Sequence, residues 1–334
     1  MKLAVLGTGS WGTALAQTAS DNGHETVMWG ISEEEVKDIS ENHRNSRYFD
    51  DPVSEKVTAS SDLSVMKDAD VILAAVPTKA LESVMKQAVE MIDHPVILVN
   101  VAKGFHPDSH KRLSEVIKDA VPEEKRTAVI SLIGPSHAEE VIKRQLTVIN
   151  AVSENEEAAK TVQNMFSNHY FRVYRNTDVI GAETGVAIKN IMAIASGCLE
   201  GIGQGDNARA ALMTRGLAEM TRFGVAQGGK PETFLGLDGV GDLIVTCTSR
   251  HSRNFMAGLA IGQAGSAEEF LKTNTKTVEG ILACRVVYEE AQKQGISMPI
   301  TTEVYHVLYE GKSPYDAVND LMNRSLKSEE GSFL

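Results

Sequence analysis

Apolar positions along the chain follow two different periods. Through the first half they form short, near-continuous runs rich in β-branched residues, at 3–6, 25–29, 71–76, 96–101, 128–133, 146–149 and 170–174, with helical spacing between them, as at 13–17. Runs of this length with no polar alternation are strands buried on both faces. Strands alternating with helices predict a parallel, doubly wound sheet of Rossmann type. From about Asp178 the strand signal nearly vanishes, and residues 187–195, 208–223, 257–261 and 281–294 read as helices, several rich in Ala and Met. The predicted architecture is therefore α/β: an N-terminal doubly wound sheet over 1–178 and a mainly α-helical C-terminal domain over 179–334, divided at the polar turn 176–181. Residues 325–334 read as a disordered tail.

The first strand runs directly into Gly7-x-Gly9-x-x-Gly12. In this setting Gly7 permits the tight turn out of the strand, Gly9 lets backbone N–H groups approach a pyrophosphate, and Gly12 lets the helix beginning near Ser10 pack on the sheet. The spacing alone is unspecific. The flanking strand, helix and second strand supply the context that makes it a dinucleotide-binding turn, with residues 1–178 as the dinucleotide-binding domain.

Size and charge narrow the picture further. A chain of 334 residues exceeds what one core fills, so two domains are expected. With 33 Lys and Arg against 45 Asp and Glu the formal charge is −12, and no run of like charges stands out, which argues against nucleic-acid partners. A phosphorylated ligand would have to be captured by a local basic group. Cys198, Cys247 and Cys284 are widely spaced and odd in number, so neither a disulfide framework nor a metal site is expected. A reducing cytoplasm fits them. No signal-peptide pattern opens the chain, and no apolar run approaches the roughly 18 residues of a membrane span, so no membrane insertion is expected.

Several polar residues stand out against this background. Lys189 lies in a helical stretch whose neighbours three and four away are Gly185, Val186, Met192 and Ala193, with no carboxylate among them. It is either a snorkelling lysine or one desolvated enough to exchange a proton with a carbonyl or alcohol oxygen. Asn190 beside it reads as satisfying backbone or structural groups. In the segment 236–249, Asp238 reads as part of a turn or cap, while Asp242 is the candidate partner that orients Lys189. Ser252 is placed to N-cap a helix starting at Arg253 or Asn254, and the guanidinium, the Asn254 amide and free helix N–H groups together make a phosphate-sized anion site. Lys103 and the turn Gly134-Pro135-Ser136-His137-Ala138 follow carboxyl ends of strands, where open α/β sheets bind ligands.

Together these segments resemble the bacterial NAD(P)-dependent glycerol-3-phosphate dehydrogenases over essentially the whole chain. The resemblance rests on GSWGTALA from Gly9, Lys103-Gly104, GPSHAEEV from Gly134, Lys189-Asn190, GDNARAALMTRGLAEM from Gly205, GVGDLIVTCTS from Gly239, Ser252-Arg253-Asn254 and Val278-Glu279-Gly280. It implies reversible reduction of dihydroxyacetone phosphate to sn-glycerol 3-phosphate, feeding glycerophospholipid synthesis, with Lys189 as proton donor and acceptor. It implies further that Lys103, Gly134, Ser136, Lys189, Asp242, Ser252, Arg253 and Asn254 hold the substrate, with Thr246 as an added contact. Ser10, Trp11, Lys103, Ala138, Arg253, Thr277 and Glu279 would contact the cofactor, alongside Gly7, Gly9, Gly12 and, after the second strand, Ile31.

Two departures spare the functional atoms: Ile188 before the Lys-Asn pair and Ile133 before Gly-Pro-Ser. A third bears on the cofactor. Where the family usually carries His with a basic neighbour after the second strand, this chain has Ile31-Ser32 followed by Glu33, Glu34 and Glu35, which favours NAD over NADP. The implied mechanism pairs hydride addition at the ketone carbon with proton donation by Lys189, Lys103 polarising the carbonyl and Arg253 with Asn254 clamping the phosphate. Two alternatives remain at this point: another β-hydroxyacid dehydrogenase acting on a carboxylate substrate, and a non-catalytic NADH-binding redox sensor. The apolar helices of the second domain suit a homodimer.

Overall fold

The computed structural model describes residues 1–326, 328 and 329; most of the tail expected at 325–334 lies outside the described residues. The chain forms two units, one made of Met1–Ala102 and His106–Val179, the other of Lys103–Phe105 and the residues from Ile180 onward.

The first unit is built on an eight-stranded sheet: β1 (Lys2–Leu6), β2 (Glu25–Trp29), β3 (Val57–Ser60), β4 (Val71–Ala74), β5 (Val96–Asn100), β6 (Arg126–Ile133), β7 (Thr147–Val152) and β8 (Phe171–Asn176), in the order β3-β2-β1-β4-β5-β6-β7-β8. Six helices accompany it: α1 (Ser10–Asp21), α2 (Glu33–Asn42), α3 (Thr78–Glu90), α4 (Leu113–Ala120), α5 (Ala138–Val141) and α6 (Glu156–Phe166). Alternate residues of the same strands enter two cores. Leu3, Val5, Leu73 and Val99 pack with Leu15 of α1, while Ala4, Leu6, Ile72 and Leu98 pack with Leu81 and Met85 of α3, so both faces of the sheet are covered. The strand order reverses between β1 and β4, directly where β1 delivers the glycine turn.

Two features depart from the sequence reading. The sheet is mixed, because β7 runs antiparallel to β6, pairing Leu132 with Ala151. The connection between them holds only the four-residue α5 rather than a full crossover helix, so the chain turns back alongside β6. The edge strand β3 has no apolar run to announce it, since Val57-Thr58-Ala59-Ser60 buries only Val57.

The second unit carries α7 (Val179–Gly201), α8 (Asp206–Ala226), α9 (Pro231–Phe234), α10 (Asp242–Thr248), α11 (Arg253–Ala264), α12 (Glu268–Thr273), α13 (Glu279–Gln294), α14 (Pro299–Tyr309) and α15 (Pro314–Met322). Helix α7 corrects the expectation that no apolar run is long enough to cross a membrane. Its 23 residues suffice by length and hydropathy, and 83% of the apolar window is buried. It is buried on nearly every side, polar Glu183, Lys189 and Asn190 included, as the central helix of a helical core is. Close approach to α11 is made through glycines: a Cβ on Gly197 would lie 2.0 Å from the Phe255 carbonyl oxygen, and one on Gly258 2.0 Å from that of Ile194.

Candidate active site

In the first unit, the turn after β1 has the form a dinucleotide pyrophosphate needs. Gly7 has φ +110°, and a Cβ there would meet the Ala75 carbonyl oxygen at 2.8 Å; one on Gly12 would meet the Gly7 carbonyl oxygen at 2.9 Å. A Cβ on Gly9 would meet nothing within 4 Å, so the turn is tight behind and open in front. No side chain caps α1 at Gly9, which leaves the N–H groups of its first turn, from Ser10 and Trp11 onward, to an anion. The indole Nε1 of Trp11 is buried with no hydrogen-bond partner, a donor awaiting an acceptor. Ile31 after β2 is 86% exposed, an apolar surface at the edge where an adenosine would rest. These residues fit the cofactor. After β6, Gly134 turns with φ +142° against Ile149, the Ser136 hydroxyl donates to the Gly134 carbonyl oxygen at 3.2 Å, and Ala138 is buried at the start of α5.

In the second unit, α7, α10 and the Lys103–Phe105 segment bring three charges together. Lys189 on α7 and Asp242, the first residue of α10, are both buried, and Lys189 Nζ lies 2.9 Å from Asp242 Oδ1. Lys103 Nζ donates to the other oxygen, Oδ2, at 3.0 Å. Thr246, one turn along α10, accepts from Lys189 Nζ at 2.7 Å and donates to the Asp242 carbonyl oxygen at 2.6 Å. A π-helical turn, Leu237–Gly241, feeds α10 and sets Asp242 at its start, where the helix dipole favours a carboxylate. Two ammonium groups thus share one carboxylate, leaving a positive surplus suited to an anionic substrate or a developing alkoxide.

The protonation states follow from burial and charge. Burial lowers the Lys189 ammonium to about 8, with the charge of Lys103 acting in the same direction and Asp242 opposing. Burial alone would raise the Asp242 carboxyl, but Lys103 and Lys189 overcome it and hold the group below the ordinary carboxylate range. Burial lifts the carboxyl of Glu279, the first residue of α13, above its ordinary range against the pull of Arg253, Lys189 and Lys103.

Around this centre, Ser252 caps α11 as expected, accepting from the Phe255 N–H at 3.2 Å. Arg253, the first residue of α11, is exposed, as is Thr277 just before α13. Asn254 has a task that sequence spacing does not reveal. Its Oδ1 accepts from the Gly280 N–H at 2.8 Å and its Nδ2 donates to Asn190 Oδ1 at 3.1 Å, so the amide ties α11 to α13 and α7. Because a backbone N–H fixes which way Asn254 points, the Asn190 amide is fixed in turn, and its Nδ2 is buried without a partner. Asn190 is therefore not the satisfied structural amide that the sequence implied; it holds a donor next to Lys189. The signal available in the sequence was only its adjacency to that lysine.

Comparison with known proteins shows the family. Residues 2–159 match the family described as NAD-dependent glycerol-3-phosphate dehydrogenase N-terminus, and residues 178–319 its C-terminus. A glycerol-3-phosphate dehydrogenase [NAD(P)+] of Streptococcus uberis is 51% identical over 330 residues, 98% of each chain. One from Streptococcus pneumoniae is 50% identical over 329 residues, 98% of this chain and 97% of that one. The crystal structure of glycerol-3-phosphate dehydrogenase from Coxiella burnetii superposes with a TM-score of 0.89 at 36% identity, covering 97% of this chain and 99% of that one. With a glycine turn shaped for a dinucleotide, two lysines on one buried carboxylate, and these relatives along its whole length, the chain belongs to the NAD-dependent glycerol-3-phosphate dehydrogenase family.

Proposed function

We propose that this protein interconverts dihydroxyacetone phosphate and sn-glycerol 3-phosphate, supplying the glycerol phosphate of glycerophospholipids, with residues 1–178 holding the dinucleotide and residues 179–334 the substrate. The observation that carries this reading is the Lys103–Asp242–Lys189 cluster, in which a buried lysine lowered to about 8 shares a buried carboxylate with a second, half-buried ammonium group. Bound nicotinamide supplies or takes up the hydride at the carbon of the ketone or alcohol. Lys189 Nζ gives its proton to the ketone oxygen as that carbon is reduced, and takes it back in the reverse direction. With its affinity near ambient pH the lysine serves both directions. Asp242 holds Lys189 and Lys103 on its two oxygens, and Lys103 lends positive charge to the same carbonyl. Thr246 fixes the lysine's direction, and the unpartnered Nδ2 of Asn190 adds a donor for the substrate.

The phosphate is held by the exposed guanidinium of Arg253 at the N-terminus of α11, with Ser252 and Asn254 shaping that helix start. The remote binding energy positions the reacting carbon. Gly134 and Ser136 complete the substrate contacts. Ser10, Trp11, Ile31, Lys103, Ala138, Arg253, Thr277 and Glu279 attend the cofactor together with the glycine turn. NAD is favoured over NADP because no Lys, Arg or His lies between the end of β2 and Lys37, whereas three glutamates open α2. The protein acts in the cytoplasm, which the free, buried Cys198, Cys247 and Cys284 suit, and as a homodimer, which the exposed Leu235 and Ile244 of the helical unit suit. The decisive test is whether NADH is consumed when dihydroxyacetone phosphate is added and not when unphosphorylated dihydroxyacetone is added. No consumption with either would overturn the proposal.

A further inference from the structure

The three glutamates that open α2 are not equivalent. Glu33 and Glu34 are exposed, but Glu35 is buried, and its two oxygens are engaged separately. Oε2 accepts from the hydroxyl of Thr8, the residue between Gly7 and Gly9, at 2.5 Å, and Oε1 accepts from Arg47 Nη1 at 2.7 Å. Thr8 is fixed from other sides as well. Its carbonyl oxygen accepts from Asn45 Nδ2 at 2.8 Å, and its methyl would lie 2.5 Å from a Cβ at Gly30, so the glycine turn, the end of β2 and the first turn of α2 form one packed corner. Arg47 projects from that corner with 67% of its side chain exposed, its guanidinium 5.7 Å from the centre of the Tyr48 ring. The other nearby arginine, Arg44, is turned elsewhere, donating from Nη2 to the Asp50 carbonyl oxygen at 2.6 Å.

In doubly wound folds the adenosine ribose lies beside the end of the second strand, where a carboxylate accepts its hydroxyls or an arginine receives a 2′-phosphate. Here Gly30-Ile31-Ser32 supplies neither; Glu33 and Glu34 on the same helical turn are exposed, and the charged groups paired within this corner are Glu35 and Arg47. We propose that the Glu35–Arg47 pair, and not the residues ending β2, is the specificity determinant that makes the protein select NAD over NADP. The inference rests on the dinucleotide reading above. A 2′-phosphate dianion meets a guanidinium already neutralised by Glu35. To claim that guanidinium it must strip a buried carboxylate of its partner, which is costly because the carboxylate stays behind with its charge uncompensated. Replacing Glu35 by Gln keeps an acceptor for the Thr8 hydroxyl and removes the charge, releasing Arg47 for a bidentate contact with phosphate.

The test measures calorimetric affinities of the full-length protein for 5′-AMP and for adenosine 2′,5′-bisphosphate at one salt concentration, a readout independent of turnover. Wild type binds the bisphosphate no more tightly than 5′-AMP. In Glu35→Gln its affinity rises about tenfold or more while that for 5′-AMP stays within about twofold, and in Glu35→Gln with Arg47→Ala the gain disappears. Arg47→Ala alone, a change to an exposed side chain, weakens the bisphosphate by about threefold or more and leaves 5′-AMP unchanged, and this arm decides the matter if Glu35→Gln does not fold. The ratio of kcat/KM for NADPH over NADH follows the same order. An unchanged affinity ratio in either single variant, a gain that survives Arg47→Ala, or a wild type that prefers the bisphosphate overturns the proposal. Failure of wild type to bind either nucleotide or NADH instead overturns the dinucleotide reading on which it rests.

Discussion

Asp242→Asn tests the charge arrangement of the site more sharply than removal of the lysine itself. The substitution preserves shape and one acceptor oxygen but removes the negative charge that lies 2.9 Å from Lys189 Nζ and 3.0 Å from Lys103 Nζ. Burial lowers the proton affinity of Lys189 most, Asp242 opposes it, Lys103 lowers it further, and Glu279 adds a smaller upward pull. An opposite charge at this range is worth about 1–3 pH units, and a loss of about 2 moves Lys189 from about 8 to about 6. At pH 7.5 the ammonium fraction then falls from about three quarters to about 3%, and reduction of dihydroxyacetone phosphate slows about 25-fold from protonation alone.

The ammonium form is the acid in reduction, so that direction is lost as pH rises through the Lys189 value. The assay is therefore the pH profile of kcat/KM for dihydroxyacetone phosphate with NADH. Wild type shows an alkaline limb near 8. In Asp242→Asn the limb moves down by about 2 pH units, and much of the lost rate returns when the assay is acidified. In glycerol 3-phosphate oxidation, where neutral Lys189 is the base, the acid limb moves down by the same amount. A variant whose rate drops equally at all pH values with its limb still near 8 would refute the reasoning, because Asp242 would then act only as a structural tether.

Lys189→Ala should lower kcat by about 10²–10⁴ with NADH affinity unchanged in a fluorescence titration; a variant keeping more than about a tenth of kcat removes Lys189 from the proton transfer. Arg253→Ala should raise KM for dihydroxyacetone phosphate by about tenfold or more, since a charge-assisted contact is worth about 1.5–3 kcal/mol, and a KM unchanged from wild type would place the phosphate elsewhere. Gly197→Val sets a side chain against a carbonyl oxygen that a Cβ alone would approach to 2.0 Å, so helices α7 and α11 must separate. The cost of such overpacking is about 1–3 kcal/mol, read as a Tm several degrees lower, and an unchanged Tm would show that the helices cross less tightly than described.

The parts of the fold that could be read from the sequence are those in which local pattern and burial agree. β1, β2, β4, β5 and β6 are apolar on both faces because helices cover both, and a run buried on both sides needs no partner to be recognised. The glycine spacing of the first turn is equally local: Gly7 needs a positive φ, and Gly12 has a carbonyl oxygen at its back. Ser252 as the cap of α11 follows from its place before a helix. β3 and the reversed direction of β7 escaped, since an edge strand with one buried residue has no periodic signal, and strand direction depends on the path of the connection rather than on the strand itself.

The site divides in the same way. Composition and spacing determined which residue types were available: two lysines, an aspartate, an arginine at a helix start, and three glutamates after β2. Tertiary structure decided what each became. It placed Asp242 between Lys103 and Lys189, which lie far apart in sequence, and buried the group so that one lysine falls to about 8. It spent the Asn254 amide on Asn190 and Gly280, and it buried Glu35 against Thr8 and Arg47 while leaving Glu33 and Glu34 in water. The reason is physical: proton affinity and hydrogen-bond availability depend on distances and on the exclusion of water, and neither exists until segments remote along the chain have packed together.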